Sequence, residues 1–438
     1  MRKKLLIVAL IMPLCVPISF AQSRKSLSMT IDELFTLIEN NNTDIEVARR
    51  TIKVSEQNED VAKANRLPEV SASLSLNYLG DATILDREFS DAARAEMPHF
   101  GNTFKISAYQ PIYAGGAING AIDLAKAQTT MSRLNFEHTT ITTKFRVIEC
   151  YLNLFKYRNL LHVYNQNITL TRKLIVNMKA KNSQGIVLKN DITRYELRLS
   201  TLQYDSTSIS NNIHVMNYHL TSYLGLDHDI NIIPDSILLS EQLPIENVGF
   251  WQSMANARSI SIRQANAEHN IAVKNDKIIK SQMLPHIGII AGNTLDGPIT
   301  VEIPTINKNI NYWWVGLNIS YNISSIFKTD KNVKRSRLEI YRLNEKRNAT
   351  QDAVERDVER AYTQYIQAYE QLHTQQKNVE LATENYRIVN QRFNHQLALL
   401  TDMLDASTSK LDAEIRLVNA HISTIFFYYQ LKFISGTL

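Results

Sequence analysis

The chain repeats itself, and this repeat limits its fold more than any other feature. Displaced by 217 positions, NTDIEVARRTIKVSEQNEDVAKANRLPEV from Asn42 falls on SISIRQANAEHNIAVKNDKIIKSQMLPHI from Ser259. Ile45 meets Ile262, Ala48 meets Ala265, Lys63 meets Lys280, and Leu67-Pro68 meets Leu284-Pro285. Farther on the displacement becomes 211, so that Ile112 meets Ile323, Val147 meets Val358, Tyr151 meets Tyr362 and Asp191 meets Asp402. Tyr218, Leu220 and Gly225 then meet Tyr429, Leu431 and Gly436. A tandem duplication of this size makes each half one structural unit that must pack on the other. The change of displacement puts six extra residues in the first half's loop after Tyr78.

Each half reads helix, strand, loop, strand, long helix, turn, helix. Val147, Leu154, Leu161, Ile168 and Ile175 step by seven, with Cys150, Tyr157, Tyr164, Thr171 and Met178 between them. Ile192, Tyr195, Leu199 and Leu202 begin a second such run that reaches Leu220 and Tyr223. Val358, Ala361, Tyr365, Ala368 and Leu372 begin a third that reaches Val389 and Phe393. A strict period of 3.5 residues specifies coiled-coil seams. No proline interrupts residues 117–182, so one helix can run on the order of 100 Å. A rod of that length does not fit inside an ordinary globular domain.

The expected strands are Val70–Tyr78, Phe104–Ile112, His286–Asn293 and Trp313–Ile323. In the first, Ser71, Ser73, Ser75 and Asn77 alternate with Ala72, Leu74, Leu76 and Tyr78. The last alternates Val315, Leu317, Ile319 and Tyr321 with Gly316, Asn318, Ser320 and Asn322. A period of two gives one wet and one apolar face. Pro68, Pro111 and Pro285 stand at three of the four helix–strand junctions, where the chain changes geometry. The strand lengths suit tilted membrane strands. Tyr78, Trp313 and Trp314 cluster at one end, and Tyr109, Tyr113 and Tyr321 near the other, as interfacial girdles do. The apolar face is therefore expected to meet lipid rather than a protein core. An open sheet edge is forbidden in lipid, so several copies must share one barrel. Two copies give eight strands and three give twelve, and the strand count does not choose between them.

The chain opens with Arg2, Lys3 and Lys4, an apolar run, and Ser19-Phe20-Ala21 before Gln22, which is the pattern of a secretory signal peptide cleaved after residue 21. Met12-Pro13-Leu14 ahead of Cys15 lacks the small residue of a lipobox. Removing the signal takes three positive charges and no negative ones, lowering the formal net charge from +5 to +2, so no nucleic-acid partner is implied. One cysteine remains, Cys150, placed in an apolar helical stripe. The domains are a signal peptide over 1–21, a first repeat over 22–227 with its hairpin near 69–112, a linker over 228–247, and a second repeat over 248–438 with its hairpin near 286–323. The fold class is mainly α with transmembrane β.

Several stretches resemble the TolC family of outer-membrane efflux ducts across essentially the whole mature chain. They include MTIDELFTLIENNNTDIEVA, RLPEVSASLSLNY, AYQPIYAGGAINGAIDLAKA, GIVLKNDITRYELRLS, LTSYLGL and, most specifically, RFNHQLALLTDMLDASTSKLDAEIRLVNA. The resemblance implies a homotrimer in the outer membrane of a Gram-negative bacterium. Its four strands per protomer would build a twelve-stranded barrel, continuous with a coiled-coil tunnel in the periplasm. It also implies a periplasmic adaptor and an inner-membrane pump, proton-driven of the RND type or ABC-type, for tripartite efflux or type I secretion. The closed tip would lie at the turns Gly185–Asp191 and Gln396–Asp402.

Asp402 and Asp405 match the family's ring of pore aspartates, a place where cations could bind, and Asp191 matches its closing network. The tyrosine and arginine expected in the second tip are Phe393 and Ala398 here, so the latch is expected to be altered, using Arg194 or Lys189, or to be weaker. The alternative for the aspartates is local: Asp402 as a helix N-cap and Asp405 as a first-turn acid. Adaptor docking is expected at Gly185, Ile186, Val187, Leu188 and at Leu397, Ala398, Leu399, Leu400. The basic run KTDKNVKRSRLEIYRLNEKR over 328–347 reads as a solvated helix face, or as a grip on anionic lipid headgroups.

No catalytic constellation is present. The eleven histidines are scattered, and no HExxH, GxSxG or phosphate loop occurs. No enzyme activity, cofactor or resident metal is expected. The competing function is an exported soluble coiled-coil scaffold without channel activity. The aromatic clusters, membrane-length strands and tandem hairpins argue against it.

Overall fold

The computed structural model describes residues 26–235, 243–302 and 304–438. The signal peptide and part of the linker lie outside these residues. In chain order the elements are β1 (Ser26–Met29), α1 (Ile31–Asn41), α2 (Thr43–Ala64), β2 (Glu69–Tyr78), β3 (Ala82–Leu85), β4 (Ala92–Ala95), β5 (Phe100–Ala114), α3 (Ala117–Asn182) and α4 (Lys189–Leu224). The second half gives β6 (Asn231–Pro234), α5 (Val248–Arg258), α6 (Ile260–Ser281), β7 (His286–Gly297), β8 (Ile310–Ser320), α7 (Ser325–Asn394) and α8 (Leu400–Ser435).

The periodicities become the packing. α3 and α7 are single helices of 66 and 70 residues. Every heptad position named above on α3, α4 and α7 is buried or half-buried, and none is exposed. In one tier the neighbours run α2, α3, α6, α7; in the other they run α4, α3, α8, α7. Two repeat-related cores sit where the tiers meet. One joins Leu34, Ile38 and Ile45 to Val147, Leu154 and Leu220. The other joins Trp251, Ala255 and Ile262 to Val358, Tyr365 and Leu431 at the matching positions. The duplication thus exchanges two leucines for Trp251 and Tyr365 and an isoleucine for Ala255, a redistribution of volume that keeps a filled core. Cys150 packs half-buried against the first core, and burial pushes its thiol up to about 11, as suits an inert core residue.

β2, β5, β7 and β8 form one antiparallel sheet in that order. Directly paired residues share a face, so the register sets Leu74, Phe104 and Leu295 in one row, with Ala72, Ile106, Asn293 and Trp313 in the next. Val315, Leu317 and Ile319 extend this apolar face and are exposed. The opposite face carries Ser71 hydrogen-bonded to Ser107 at 2.8 Å, and Thr103 donating to Asp296 at 2.6 Å.

β2, β5 and β7 exceed the expected bounds, and β8 is displaced toward the N-terminus. β5 continues past Pro111 to Ala114, with a register shift between Pro111 and Tyr113 that accommodates the missing N–H. Pro111 is therefore not a junction, and the last strand stops at Ser320 rather than Ile323. Two small sheets were not anticipated: the hairpin of β3 and β4, and the parallel pair of β1 and β6. No helix among the described residues is long and apolar enough to cross a membrane.

Tyr151 ties the β1–β6 pair to the rods. Its buried hydroxyl donates to the Met29 carbonyl at 2.7 Å and accepts from the Asp235 amide at 2.9 Å. Burial raises its pKa to about 12, so it stays protonated and able to donate. Tyr151→Phe removes both hydrogen bonds and is expected to cost about 1–3 kcal/mol, read as an earlier denaturant midpoint with unchanged helix content.

Candidate functional site

Two places concentrate functional chemistry: the far tip of the rods and the rims of the sheet. At the tip, α3 turns into α4 and α7 turns into α8 by the same device. Ile186 N–H bonds to the Lys181 carbonyl and Gly185 N–H to that of Asn182, at 3.0 and 2.9 Å. In the second half Leu397 N–H bonds to Arg392 and Gln396 N–H to Phe393, at 2.8 and 3.1 Å. Each is a Schellman closure, which requires a left-handed residue just past the helix. Gly185 supplies it at φ 72°, and Gln396 takes the same conformation at φ 63° despite its Cβ.

Beyond each left-handed residue the exposure pattern repeats. Ile186 and Leu188 are 48% and 70% exposed, and Leu397 and Leu399 are 68% and 70% exposed. Val187 and Leu400 turn inward to a core shared by both hairpins, made of Ile175, Met178, Ile192, Tyr195 and Met403. Phe393, in the place of the expected tyrosine, packs against this core, with the Lys181 ammonium 5.5 Å from its ring centre. The Tyr195 hydroxyl is buried without a partner among the described residues, and burial raises its pKa. Ala398 is half-buried and Arg194 is exposed. The ion pair tying α3 to α4 here is Lys179–Glu196 at 2.8 Å.

Asp402 and Asp405 are exposed one turn apart on α8. The N-cap of α8 is Leu399, not Asp402: Asp402 is the third residue of the helix and its carboxylate accepts the Leu399 N–H at 3.0 Å. Asp191, the repeat partner of Asp402, is likewise third in α4, whereas Asp405 lies beyond the first turn of α8. Asp402 thus serves its helix end with one oxygen while remaining open to solvent. Asp405 has no such local duty in the helix geometry.

At the rims, Tyr78 and Trp313 lie on the apolar face and are 80% and 77% exposed. Trp314, expected beside them at the membrane boundary, lies on the opposite face, because neighbouring strand residues point to opposite sides. Its indole covers Gly292, where a Cβ would come within 2.6 Å of the ring. Tyr109 covers Gly288 on the same face in the same way. The residues that sequence reasoning passed over are Lys181, whose ammonium meets Phe393, and Gln396, whose backbone matters more than its side chain. The signal for Gln396 was its alignment with Gly185.

Long paired rods joined to a sheet with one apolar and one small polar face suit a membrane duct. A family model for outer membrane efflux protein matches residues 34–205 and 251–436, and the chain belongs to that family. No curated protein matches the chain significantly. Among solved structures, the fold is similar to the outer membrane protein VceC of Vibrio cholerae at 14% identity and TM-score 0.75, covering 93% of this chain and 96% of that one. It is also similar to a membrane protein from Pseudomonas aeruginosa at 13% identity and TM-score 0.78, covering 93% and 90%. The Campylobacter jejuni CmeC outer membrane channel aligns at 14% identity and TM-score 0.74, covering 93% and 85%. The protein is therefore an outer membrane efflux protein, built of long helical rods joined to one four-stranded sheet.

Gln396 makes a separable test of the tip. Gln396→Gly removes the left-handed penalty and is expected to stabilise the protein by up to about 1 kcal/mol. Gly185→Gln is expected to lose a similar amount, both read from thermal unfolding.

Proposed function

We propose that three copies of this chain close a twelve-stranded barrel and a helical tunnel, which an adaptor and an inner-membrane pump join for export. The observation that carries this reading is that one pair of edges recurs at every level. The sheet leaves β2 and β8 outermost, one helical tier leaves α2 and α7, and the other leaves α4 and α7. These edge helices carry exposed apolar residues at heptad spacing: Val47, Val54 and Val61 on α2, Leu197, Tyr204 and Tyr218 on α4, and Leu381 and Ile388 on α7. A surface of this kind fits the opposite edge of a second copy, the head-to-tail contact that generates rings. Two copies would give eight strands, whose interior side chains fill. Three give room for a lumen lined by the serines and glycines of the polar face.

The aspartates at the tip then stand as six carboxylates around the narrow end, and the exposed Ile186, Leu188, Leu397 and Leu399 form the docking surface for the adaptor. The pump, of the RND or ABC type, supplies the energy and selects the cargo.

Conductance in planar bilayers tests the duct. The purified protein is expected to form discrete channels blocked by a trivalent cation, with the block weakened at least about tenfold in Asp402→Ala/Asp405→Ala. Channels without block retain the duct and discard the aspartate ring, whereas a soluble protein without channels restores the scaffold. For docking, Leu188→Glu and Leu399→Glu are expected to abolish adaptor crosslinking and export while channels persist. Unchanged crosslinking places the adaptor elsewhere.

A further inference from the structure

The duplication allows each strand-to-helix junction to be compared with its own copy, and the two copies differ in chemistry. α3 leaves β5 through Gly115 and Gly116, at φ 61° and 86°, and a Cβ on Gly115 would stand 2.6 Å from the Ser281 carbonyl. The repeat-related residues are Ile326 and Phe327. They are already helical, and both are exposed, Phe327 at 75%. The next twenty residues diverge further. Residues 328–347 hold eight basic and three acidic side chains, whereas the matching 117–136 hold two and one.

On α7, Ser325, Thr329, Val333 and Ser336 are buried and mark the packed face. Lys328, Lys331 and Arg335 fall three and four apart on one open flank and are exposed. Asp330 pairs with Lys334 at 2.9 Å, so it is engaged on the other flank. Between the end of β8 and the first of these cations, Ile323, Ile326 and Phe327 are exposed apolar side chains. From the start of α7, Lys328 lies about one turn down and Arg335 about three. The headgroup layer is roughly 5–8 Å deep on each side, and long cationic side chains reach back toward it along an apolar stem.

We propose that the first three turns of α7 form a binding site for anionic phospholipid, with Lys328, Lys331 and Arg335 contacting lipid phosphates in the periplasmic leaflet while Ile326 and Phe327 enter the acyl boundary. The site rests on the reading that β2, β5, β7 and β8 are the membrane segment. Juxtamembrane cations gather anionic headgroups in this way, and three copies would ring the base of the barrel. The first repeat, with its tight glycine turn and nearly neutral helix, cannot do the same.

The test titrates the full-length protein in detergent with phosphatidylglycerol or phosphatidylcholine, reading bound lipid by native mass spectrometry and the thermal midpoint. Wild type is expected to bind phosphatidylglycerol at least about fivefold more tightly and to gain more thermal stability from it. Lys328→Gln/Lys331→Gln/Arg335→Gln is expected to lose most of that preference. Lys328→Arg/Lys331→Arg/Arg335→Lys is expected to keep it, as is Arg172→Gln/Lys173→Gln far along α3. A preference that survives the triple variant overturns the site. So does a triple variant whose lipid preference is unchanged but whose channel shifts its ion selectivity, because the cations then line the lumen. Wild-type channels without any lipid preference sink this site alone, whereas neither channels nor preference sinks the membrane reading beneath it.

Discussion

A strand edge in hydrocarbon has nowhere to place its backbone N–H and C=O groups except on another strand. That constraint governs the rest of this molecule. β2 and β8 each pair on one side only within the protomer, which on the proposed reading of the sheet as the membrane segment leaves it incomplete. The helices are arranged compatibly, with α7 at one margin and α2 or α4 at the other. Exposed heptad residues line those margins. Sheet and rods therefore make the same demand for a neighbour, at levels separated by the length of a helix.

The duplication explains how one chain supplies so extended a scaffold, and where it departs from symmetry. Both halves close their long helices with left-handed residues, at Gly185, Gly225, Gln396 and Gly436. Three of the four are glycine, so the glutamine stands out as a position where the tip tolerates strain. The two central cores use the same positions with different volumes: Leu34 and Leu154 in one, Trp251 and Tyr365 in the other. Packing of this kind keeps the register while freeing surface residues to diverge. The divergence is plainest at the base of the strands, where Gly115 and Gly116 face Ile326 and Phe327.

Much of this was legible in the sequence because its signals are periodic. The 117–182 helix and its seam follow from an unbroken 3.5 repeat, and the apolar face of β2 and β8 from a repeat of two. Features without a period were not legible. β1, β3, β4 and β6 have four residues each, too few for an alternation to stand out. Proline at 111 predicts a strand end, but a bulge lets β5 run past it. Trp313 and Trp314 were grouped because they are adjacent, although adjacency in a strand separates side chains. The N-cap of α8 was misplaced because the preceding closure shifts the helix start to Leu400 and leaves Asp402 reaching back to Leu399.

The tip shows how composition limits mechanism. Ile175, Met178, Ile192, Tyr195 and Met403 unite both helical hairpins in one cluster, and Phe393 extends it. Pulling the hairpins straight apart would expose that cluster to water, at about 25 cal/mol for each Å² uncovered. Sliding one hairpin along the other keeps most of it covered, and small shear of packed helices is an established kind of motion. Phe393 suits that motion, since a ring held by apolar contact and by Lys181 has no directional hydrogen bond to break. Under the proposed closure of the tip, the phenyl ring holds the hairpins by packing alone, with no hydroxyl to tie them to one register.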